Sequence, residues 1–450
     1  MTQALTPTPV VALVGRPNVG KSALFNRVVG QGTAIVSEEA GTTRDRHFAL
    51  TEWNGRTFYL VDTGGLTMDD RIPMDLEIRK QVEQAIGEAD LLLLVLDASV
   101  GVHPSDRRIL DLLRAANKPW MVVANKVDDP RDPGFYELYN LGGGDPFPVS
   151  ATNGRGSGDL LDAIVERIPD VPPPDTAALR VAVIGRPNVG KSSFINRLLG
   201  EDRLVVSEIA GTTRDAIDTP FRYHGRDLVF VDTAGLRRQA RVDEGVEFYS
   251  TLRTRRAIES SDVCVLLIDG TEKLVDQDLK IAHLAWDAGR GLIFVVNKWD
   301  LVEKDDKTSH KYVKEMTEKA PFLEHVPFIF TSAITGQRVT RVLDTLLEVE
   351  RERLKRVSTS DVNGRLQELV ARRQPPQAVG TEVRVNYATQ VEVAPPHIVV
   401  FGNHPDLVAE HYVRFLHNGF RETFGWTGNP LKITLKRKNE DRRDRDDGRR

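Results

Sequence analysis

The sequence predicts an α/β protein with two tandem P-loop nucleotide-binding domains, each a mostly parallel sheet with helices on both faces, followed by a smaller α+β domain. Three observations carry this prediction. The octapeptide GRPNVGKS occurs twice, at Gly15–Ser22 and Gly185–Ser192. Each copy follows an apolar run and precedes an amphipathic stretch, which is the strand, loop and helix order of a P-loop. Further landmarks recur about 170 residues apart, the length of a whole domain.

Each octapeptide predicts a phosphate-binding loop. Its backbone N–H groups would surround phosphate oxygens, its Lys would reach the terminal phosphates, and its Ser hydroxyl would bind Mg²⁺. The candidate nucleotide-binding residues are Gly15, Arg16, Pro17, Asn18, Val19, Gly20, Lys21 and Ser22, and Gly185, Arg186, Pro187, Asn188, Val189, Gly190, Lys191 and Ser192.

A GTTRD segment follows each loop, at residues 41–45 and 211–215. A P-loop protein needs a second oxygen donor that joins Mg²⁺ when the terminal phosphate is present. We assign it to Thr43 and Thr213, with the adjacent Thr42 and Thr212 as alternatives. The predicted metal ligands are therefore Ser22, Thr43 and Asp62, and Ser192, Thr213 and Asp232.

The motifs DTGGL and DTAGL each place an Asp at the carboxyl end of an apolar strand, followed by a Gly, Gly65 or Gly235, whose N–H meets the terminal phosphate. The predicted nucleotide contacts here are Asp62, Thr63, Gly64, Gly65 and Leu66, and Asp232, Thr233, Ala234, Gly235 and Leu236. Leu66 and Leu236 stand where a Ras-like site has a Gln that orients the attacking water. Hydrolysis should therefore be slow and use another group.

Asn18 and Asn188 offer side-chain carbonyls near the phosphates, where a monovalent cation could supply positive charge. We therefore expect K⁺ to stimulate turnover. The residues assigned to catalysis are Lys21, Asn18 and Thr43 in the first copy, and Lys191, Asn188 and Thr213 in the second.

NKVD and NKWD predict guanine as the base, because an Asp carboxylate accepts hydrogen bonds from two guanine N–H donors that adenine lacks. GTP and GDP are thus preferred to ATP. The residues are Asn125, Lys126 and Asp128, and Asn297, Lys298 and Asp300. Two later motifs, VSATNG and TSAITG, add Ser150 and Ala151, and Ser332 and Ala333, with the two Ala N–H groups expected to meet the guanine carbonyl.

Composition and the positions of proline-rich and charged segments predict the domain organisation. We expect a first domain over 1–170, a Pro-rich linker over 171–178, a second domain over 179–353, a C-terminal domain over 354–437 and a charged, disordered tail over 438–450. Cys264, the single cysteine, excludes an internal disulfide and fits a reducing compartment. The start has no signal-peptide pattern and the apolar runs are strand-sized, so we expect a monomeric cytoplasmic protein without membrane contact.

The paired GRPNVGKS, GTTRD and NKxD motifs, with DTGGL, DTAGL and the segment YSTLRTRRAIESSDV, resemble the bacterial family of double Era-like GTPases over nearly the whole chain. The resemblance implies a GTP-hydrolysing factor that assembles the large (50S) ribosomal subunit, with a KH-like C-terminal domain. Residues 354–450 carry 17 Lys and Arg against 12 Asp and Glu, which suits contact with nucleic acid.

The C-terminal domain has a predicted order of helix, strand, strand, helix and strand, compatible with a KH-like fold. A nucleic-acid-binding KH module clamps the backbone with a GxxG loop between helices, and neither the segment from Gly402 to Pro405 nor Gly419 supplies one. A protein-contacting or domain-coupling role therefore stands beside rRNA contact. The alternative function is a GTP-regulated protein-interaction module in signalling. A transfer-RNA-modifying GTPase would need a further catalytic domain.

Overall fold

The computed structural model describes residues 7–31, 33–34, 48–65, 74–129, 131, 133–169, 178–200, 218–233, 247–272, 274–303, 305, 307–377 and 381–437. These residues form two compact units. One spans Pro7–Pro172, and the other contains the described residues from Ala178 onward. The second repeat and the C-terminal domain therefore share one unit, although they were expected as separate domains. Most of the expected linker and all of the expected tail lie outside the described residues.

The first unit is a seven-stranded sheet flanked by helices. Its elements are β1 Val10–Val14, α1 Lys21–Gln31, β2 Thr33–Ala34, β3 Phe48–Trp53, β4 Arg56–Asp62, α2 Met74–Glu88, β5 Leu91–Asp97, α3 Pro104–Ala115, β6 Trp120–Asn125, α4 Pro133–Glu137, β7 Phe147–Pro148 and α5 Ser157–Arg167. The strand order is β2-β3-β4-β1-β5-β6-β7; β3 pairs antiparallel with both β2 and β4, and the other pairs are parallel.

The apolar runs of the sequence become the central strands because helices cover the sheet on both faces. Every residue of β1 and β5 is buried, as expected for parallel strands without a solvent-facing side. The carboxyl ends of β1, β4, β5 and β6 meet at one edge, where open α/β sheets bind ligands. The expected fold of this repeat is confirmed.

The second repeat has a six-stranded sheet of order β13-β12-β11-β8-β10-β9. Its elements are β8 Leu179–Ile184, α6 Lys191–Leu199, β9 Thr219–Tyr223, β10 Arg226–Phe230, α7 Glu247–Glu259, β11 Val263–Asp269, α8 Asp276–Asp287, β12 Gly291–Asn297, α9 Thr308–Lys319, β13 Phe328–Phe330 and α10 Arg341–Arg353. Cys264 is buried in β11, and burial raises the pKa of its thiol to about 11. It is therefore a small apolar core residue.

The C-terminal domain has the predicted element order. It consists of α11 Thr359–Arg372, β14 Val385–Glu392, β15 His397–Gly402, α12 Glu410–Phe424 and β16 Lys432–Arg437, and its sheet has the order β14-β15-β16. One sheet face packs against both helices through an apolar core that includes Leu366, Ile398, Leu416, Phe420 and Trp426. No helix in the described part of the chain is long and apolar enough to span a bilayer.

Backbone hydrogen bonds join this domain to the second repeat. Gly428 N–H donates to His325 O at 2.7 Å, and Gly428 O accepts from Leu292 N–H at 2.7 Å. The fully buried Asn429 donates from Nδ2 to Val349 O at 2.9 Å. Leu292 lies at the amino end of β12, so the junction is at the edge of the sheet opposite its carboxyl ends.

A GxxG sequence does occur at Gly425–Gly428, after α12 rather than between the two helices, and the sequence interpretation overlooked it. Trp426 is fully buried within it, and both backbone polar groups of Gly428 are bonded to the second repeat. This segment therefore couples two domains, and the backbone groups of Gly428 are engaged in that contact.

Candidate nucleotide-binding sites

The two octapeptides form the connections from β1 to α1 and from β8 to α6, at the carboxyl edge of each sheet. Gly20 and Gly190 have φ angles of 91° and 97°. A Cβ on Gly20 would also lie 2.3 Å from Asn125 Nδ2, and one on Gly190 2.5 Å from Asn297 Nδ2. Only glycine allows both the left-handed turn and this close approach. Each loop ends at a helix amino terminus, which favours phosphate.

The loop lysines are held by the backbone of the loops themselves. Lys21 Nζ donates to Gly15 O at 2.7 Å and to Arg16 O at 2.9 Å, and Lys191 Nζ donates to Gly185 O and Arg186 O, both at 2.7 Å. Burial lowers the pKa of each ammonium to about 8. A polyphosphate would add negative charge to the carbonyl dipoles at both lysines and to the Asp62 carboxylate near Lys21.

In the first repeat, two of the predicted metal ligands, Ser22 and Asp62, lie in direct contact. Ser22 Oγ donates to Asp62 Oδ2 at 2.5 Å, and the backbone N–H of Gly64 donates to Asp62 Oδ1 at 2.9 Å. Asp62 ends β4 and is 2% exposed. A hydroxyl and a carboxylate that face each other at this distance present the oxygen donors that Mg²⁺ prefers.

The second repeat differs at this position. The sequence interpretation placed Asp232 at the end of its strand, but β10 ends two residues earlier, at Phe230. Asp232 has a left-handed backbone with φ of 56°, and its N–H donates to Asp218 Oδ1 at 3.0 Å. A left-handed residue cannot continue the strand ladder, so this prediction of strand length was wrong.

Several predicted site residues lie outside the described residues. These are Thr43 and Thr213 with their alternatives Thr42 and Thr212, then Leu66, Ala234, Gly235 and Leu236. Gly65 is described and closes a short 3₁₀ helix, Thr63–Gly65. Within the described ranges no group of three or more His, Cys, Asp or Glu side chains could hold a metal ion. A metal ion at Ser22 and Asp62 would therefore need further ligands of another kind.

Asn125 and Asn297 bridge the two halves of each site. Asn125 Nδ2 donates to Val19 O at 2.9 Å, while its Oδ1 accepts from Ala151 N–H at 3.1 Å. Asn297 makes the same pair of bonds with Val189 O and Ala333 N–H, at 2.9 Å and 3.0 Å. Both side chains are 2% exposed. Their amides therefore fix the phosphate loop to the base loop.

The N–H groups of Ala151 and Ala333, which were predicted to meet the guanine carbonyl, each have an acceptor within the protein. Each N–H donates to the Asn side chain. The physical reason is that a buried N–H takes the nearest acceptor, and the Asn carbonyl lies directly beside it. A guanine carbonyl would have to share this donor.

The base-recognition carboxylate is held differently in the two repeats. Asp128 Oδ1 accepts from Ser150 Oγ at 2.7 Å and from Asn153 Nδ2 at 2.9 Å. Both repeats share a bond from the residue three positions on, since Ser150 Oγ accepts from Asn153 N–H at 3.2 Å and Ser332 Oγ from Thr335 N–H at 3.1 Å. The side chain differs, because Thr335 stands where the first repeat has Asn153. Asp128 is therefore oriented by an amide that its counterpart Asp300 does not have beside it.

Sequence interpretation missed Asp97 and Asp269, the last residues of β5 and β11. Their Oδ2 atoms accept from Lys126 Nζ and Lys298 Nζ, both at 2.6 Å. Burial alone would raise the pKa of each carboxyl, but the bonds from these lysines and from Ser99 and Thr271 outweigh it and lower the pKa. A signal was present, since both Asp residues close an apolar run and both precede a hydroxyl residue by two positions.

The arginine of each loop pairs with a carboxylate of a following helix. Arg16 pairs with Asp106 of α3, and Arg186 pairs with Asp278 of α8. Burial raises the pKa of both carboxyls, and each is an acceptor for the N–H of its helix cap, His103 or Val275. Sequence interpretation gave these carboxylates no role.

The fold and these two sites define a P-loop GTPase with tandem nucleotide-binding domains. A family model described as 50S ribosome-binding GTPase matches residues 10–126 and 180–298, and a model described as the C-terminal KH-domain-like region of EngA bacterial GTPase enzymes matches residues 356–436. GTPase Der of Gemmatimonas aurantiaca is 69% identical over 96% of this chain and 99% of its own. GTPase Der of Pelotomaculum thermopropionicum is 47% identical over 97% and 100%.

The chain belongs to the GTPase Der family. It binds guanine nucleotides and hydrolyses GTP, as the paired motifs predict. A solved structure of an Aquifex aeolicus Era variant bound to GDP.AlF4- matches 56% of this chain and 88% of its own, with 23% identity and a TM-score of 0.30.

Proposed function

We propose that this GTPase is a nucleotide-dependent switch that acts in assembly of the large (50S) ribosomal subunit. The observation that carries the proposal is the match of both repeats to a family described as 50S ribosome-binding, in a chain whose second repeat is hydrogen-bonded to a KH-like domain. Such a junction offers a physical route by which nucleotide state in the second repeat changes how the C-terminal domain meets a partner. A cytoplasmic monomer fits this proposal.

In the proposed cycle the loop N–H groups and Lys21 or Lys191 bind the β- and γ-phosphates. Ser22, Thr43 and Asp62 would hold Mg²⁺ in the first repeat, and Ser192, Thr213 and Asp232 in the second. The facing oxygens of Ser22 and Asp62 support that assignment for the first site. A bound Mg²⁺ neutralises phosphate charge. Asp128 and Asp300 select guanine, and loss of the γ-phosphate releases the Thr43 and Thr213 segments.

Hydrolysis is proposed to use a monovalent cation, since Leu66 and Leu236 cannot orient water. Asn18 and Asn188 are exposed and have φ angles of 66° and 64°, so their side-chain carbonyls are available above the loop. K⁺ bound there would place positive charge near the transferred phosphoryl group. Equal rates in K⁺ and Na⁺ at matched ionic strength would exclude this role.

The test of the ribosomal function is co-sedimentation with purified 50S subunits in the presence of a non-hydrolysable GTP analogue or GDP. The proposal predicts that binding differs between the two nucleotides and weakens steeply as salt rises, because phosphate contacts release counterions. Binding that is the same with both nucleotides contradicts the switch, and no binding contradicts the ribosomal partner.

The alternative, a GTP-regulated protein-interaction module, is favoured by one observation. The GxxG segment at Gly425–Gly428 is occupied by the second repeat, so the KH-like domain lacks the usual means to clamp RNA. Under this alternative, 50S particles stripped of their proteins would compete poorly for the chain. Under the ribosomal proposal with rRNA contact, naked 23S rRNA should compete in a salt-dependent manner.

A further inference from the structure

The phosphate loop of the second repeat is braced by two carboxylates. Arg186 Nε donates to Asp278 Oδ1 at 2.8 Å, and its terminal nitrogen donates to Glu272 Oε2 at 2.8 Å. Asp278 is nearly fully buried, and the Arg186 side chain is 17% exposed. The segment that carries both carboxylates is itself fixed, because Tyr312 OH donates to Glu272 O at 3.0 Å.

The first repeat has the corresponding arginine, Arg16, but its contacts with carboxylates are fewer and longer. The Arg16 side chain is also 17% exposed, but its Nε lies 3.3–3.4 Å from the Asp106 oxygens. Among the described residues, one terminal nitrogen of Arg16 is buried without a hydrogen-bond partner. A buried donor that has lost water and gained no acceptor disfavours the conformation that buries it.

One substitution between the repeats accounts for this difference. The segments DASVGVHPSD and DGTEKLVDQD begin at Asp97 and Asp269 and align without a gap, so Val100 stands where the second repeat has Glu272. Val100 is 63% exposed. An exposed valine contributes no acceptor, whereas the glutamate at that position accepts the second hydrogen bond of the arginine.

These ion pairs are connected by hydrogen bonds to the lysines of the predicted nucleotide sites. The backbone oxygens of Arg16 and Arg186 accept the hydrogen bonds of Lys21 and Lys191, so fixing each arginine fixes the position of the loop lysine. The same segments begin with Asp97 and Asp269, which hold Lys126 and Lys298 of the base motifs. One ten-residue segment in each repeat therefore positions both the phosphate loop and the base loop.

We propose that Asp97 and Asp106 in the first repeat, and Asp269, Glu272 and Asp278 in the second, brace the two nucleotide sites, and that Glu272 makes the second site release nucleotide more slowly than the first. Arg16, Arg186 and Glu272 are positioning residues, since each acts through the loop backbone that holds Lys21 or Lys191. The proposal rests on the two GTP sites and not on the ribosomal partner, so a failure of 50S binding leaves it intact. A pre-ordered loop has less conformational freedom to lose on binding.

The test exchanges the two residues. Glu272→Val is measured in a chain whose first site is disabled by Lys21→Ala, and Val100→Glu in a chain whose second site is disabled by Lys191→Ala. Stopped-flow fluorescence then follows release of a fluorescent GDP analogue from the single remaining site. We expect release to become about threefold faster with Glu272→Val and about threefold slower with Val100→Glu, in line with a partly exposed ion pair. Glu272→Gln should retain part of the effect.

Two controls separate positioning from general stability. Glu318→Val removes another exposed glutamate of the second repeat, one that pairs with Lys314 at 3.9 Å, and it should leave the release rate unchanged. The midpoint of urea unfolding should also stay the same in the Glu272 and Val100 variants, because both side chains are more than half exposed. Release rates that do not respond to either exchange, or that change equally with Glu318→Val, would overturn the proposal.

Discussion

The hydroxyl of Ser22 donates a 2.5 Å hydrogen bond to the carboxylate of Asp62, although 40 residues separate them in the chain. The loop after β1 and the end of β4 bring them together, because these two strands are parallel neighbours in the sheet. Their oxygens converge beside Lys21, since a Cβ on Gly64 would lie 2.6 Å from Lys21 Cε. The predicted metal ligands Ser22 and Asp62 therefore lie next to the loop lysine.

Removal of the hydroxyl should weaken the metal dependence of GTP binding. Ser22→Ala in a chain with Lys191→Ala should reduce the apparent Mg²⁺ affinity of the first site by at least about tenfold, since it deletes a ligand. Titration of Mg²⁺ against bound fluorescent GTP analogue measures this. In the second repeat, Ser192→Ala and the neighbouring Ser193→Ala form a matched pair, of which only the first should respond. An unaltered Mg²⁺ titration in Ser22→Ala would remove the assignment.

The bridging asparagines should matter for both stability and affinity. Asn125→Ala and Asn297→Ala each delete two buried hydrogen bonds that join the phosphate and base loops. We expect a loss of about 2–3 kcal/mol in nucleotide binding at the altered site, measured by calorimetry with GDP. Asn140→Ala, at an exposed position of the first repeat, is the control. Full affinity in Asn125→Ala would show that the bridge is dispensable.

Much of this architecture follows from the sequence, because the motifs are local. A strand, a glycine-rich turn and a helix are encoded within about twenty residues, so the positions of Lys21 and Ser22 relative to the sheet edge are predictable. Asn125 is predictable for a separate local reason, since it closes its own apolar strand. The end of β10 at Phe230 was not predictable in this way. Asp232 has a left-handed backbone and donates a hydrogen bond to Asp218, a residue 14 positions away that no local pattern links to it.

The contacts that sequence could not predict are those between residues far apart in the chain. The junction of Gly428 with Leu292 and His325 depends on how two domains pack, and no local pattern encodes it. The bond from Ala151 N–H to Asn125 likewise depends on two loops meeting. Asp97 and Asp269 could have been found, because the internal repeat preserves them at equal spacing from the NKxD motifs.

The junction of the second repeat with the KH-like domain should weaken in acid. His417 Nε2 accepts from Arg421 Nε at 3.3 Å, and His325 packs nearby with ring centroids 6.1 Å apart. Burial, with Arg421 next in importance, lowers the pKa of each imidazole from 6.5 to about 4. The unfolded chain therefore takes up protons first, so this stabilisation is complete above pH 6.5 and is lost as the pH falls towards 4.

Urea unfolding at pH 7.5 and pH 5.0 measures that effect. His417→Gln keeps an acceptor for Arg421 but does not titrate, so its unfolding free energy should change less between the two pH values than that of the parent, by about 1 kcal/mol. His411→Gln, on the exposed face of the same helix α12, should behave like the parent. Identical pH dependence in all three proteins would contradict the assignment to His417.

The central claim is that one chain holds two guanine-specific sites, and calorimetric titration with GDP and ADP tests it most directly. We predict two equivalents of GDP for the parent chain, no comparable binding of ADP, and one equivalent in each of Asp128→Asn and Asp300→Asn, because an amide cannot accept both guanine hydrogen bonds. A parent chain that saturates at one equivalent, or that binds ADP as well as GDP, would contradict the account.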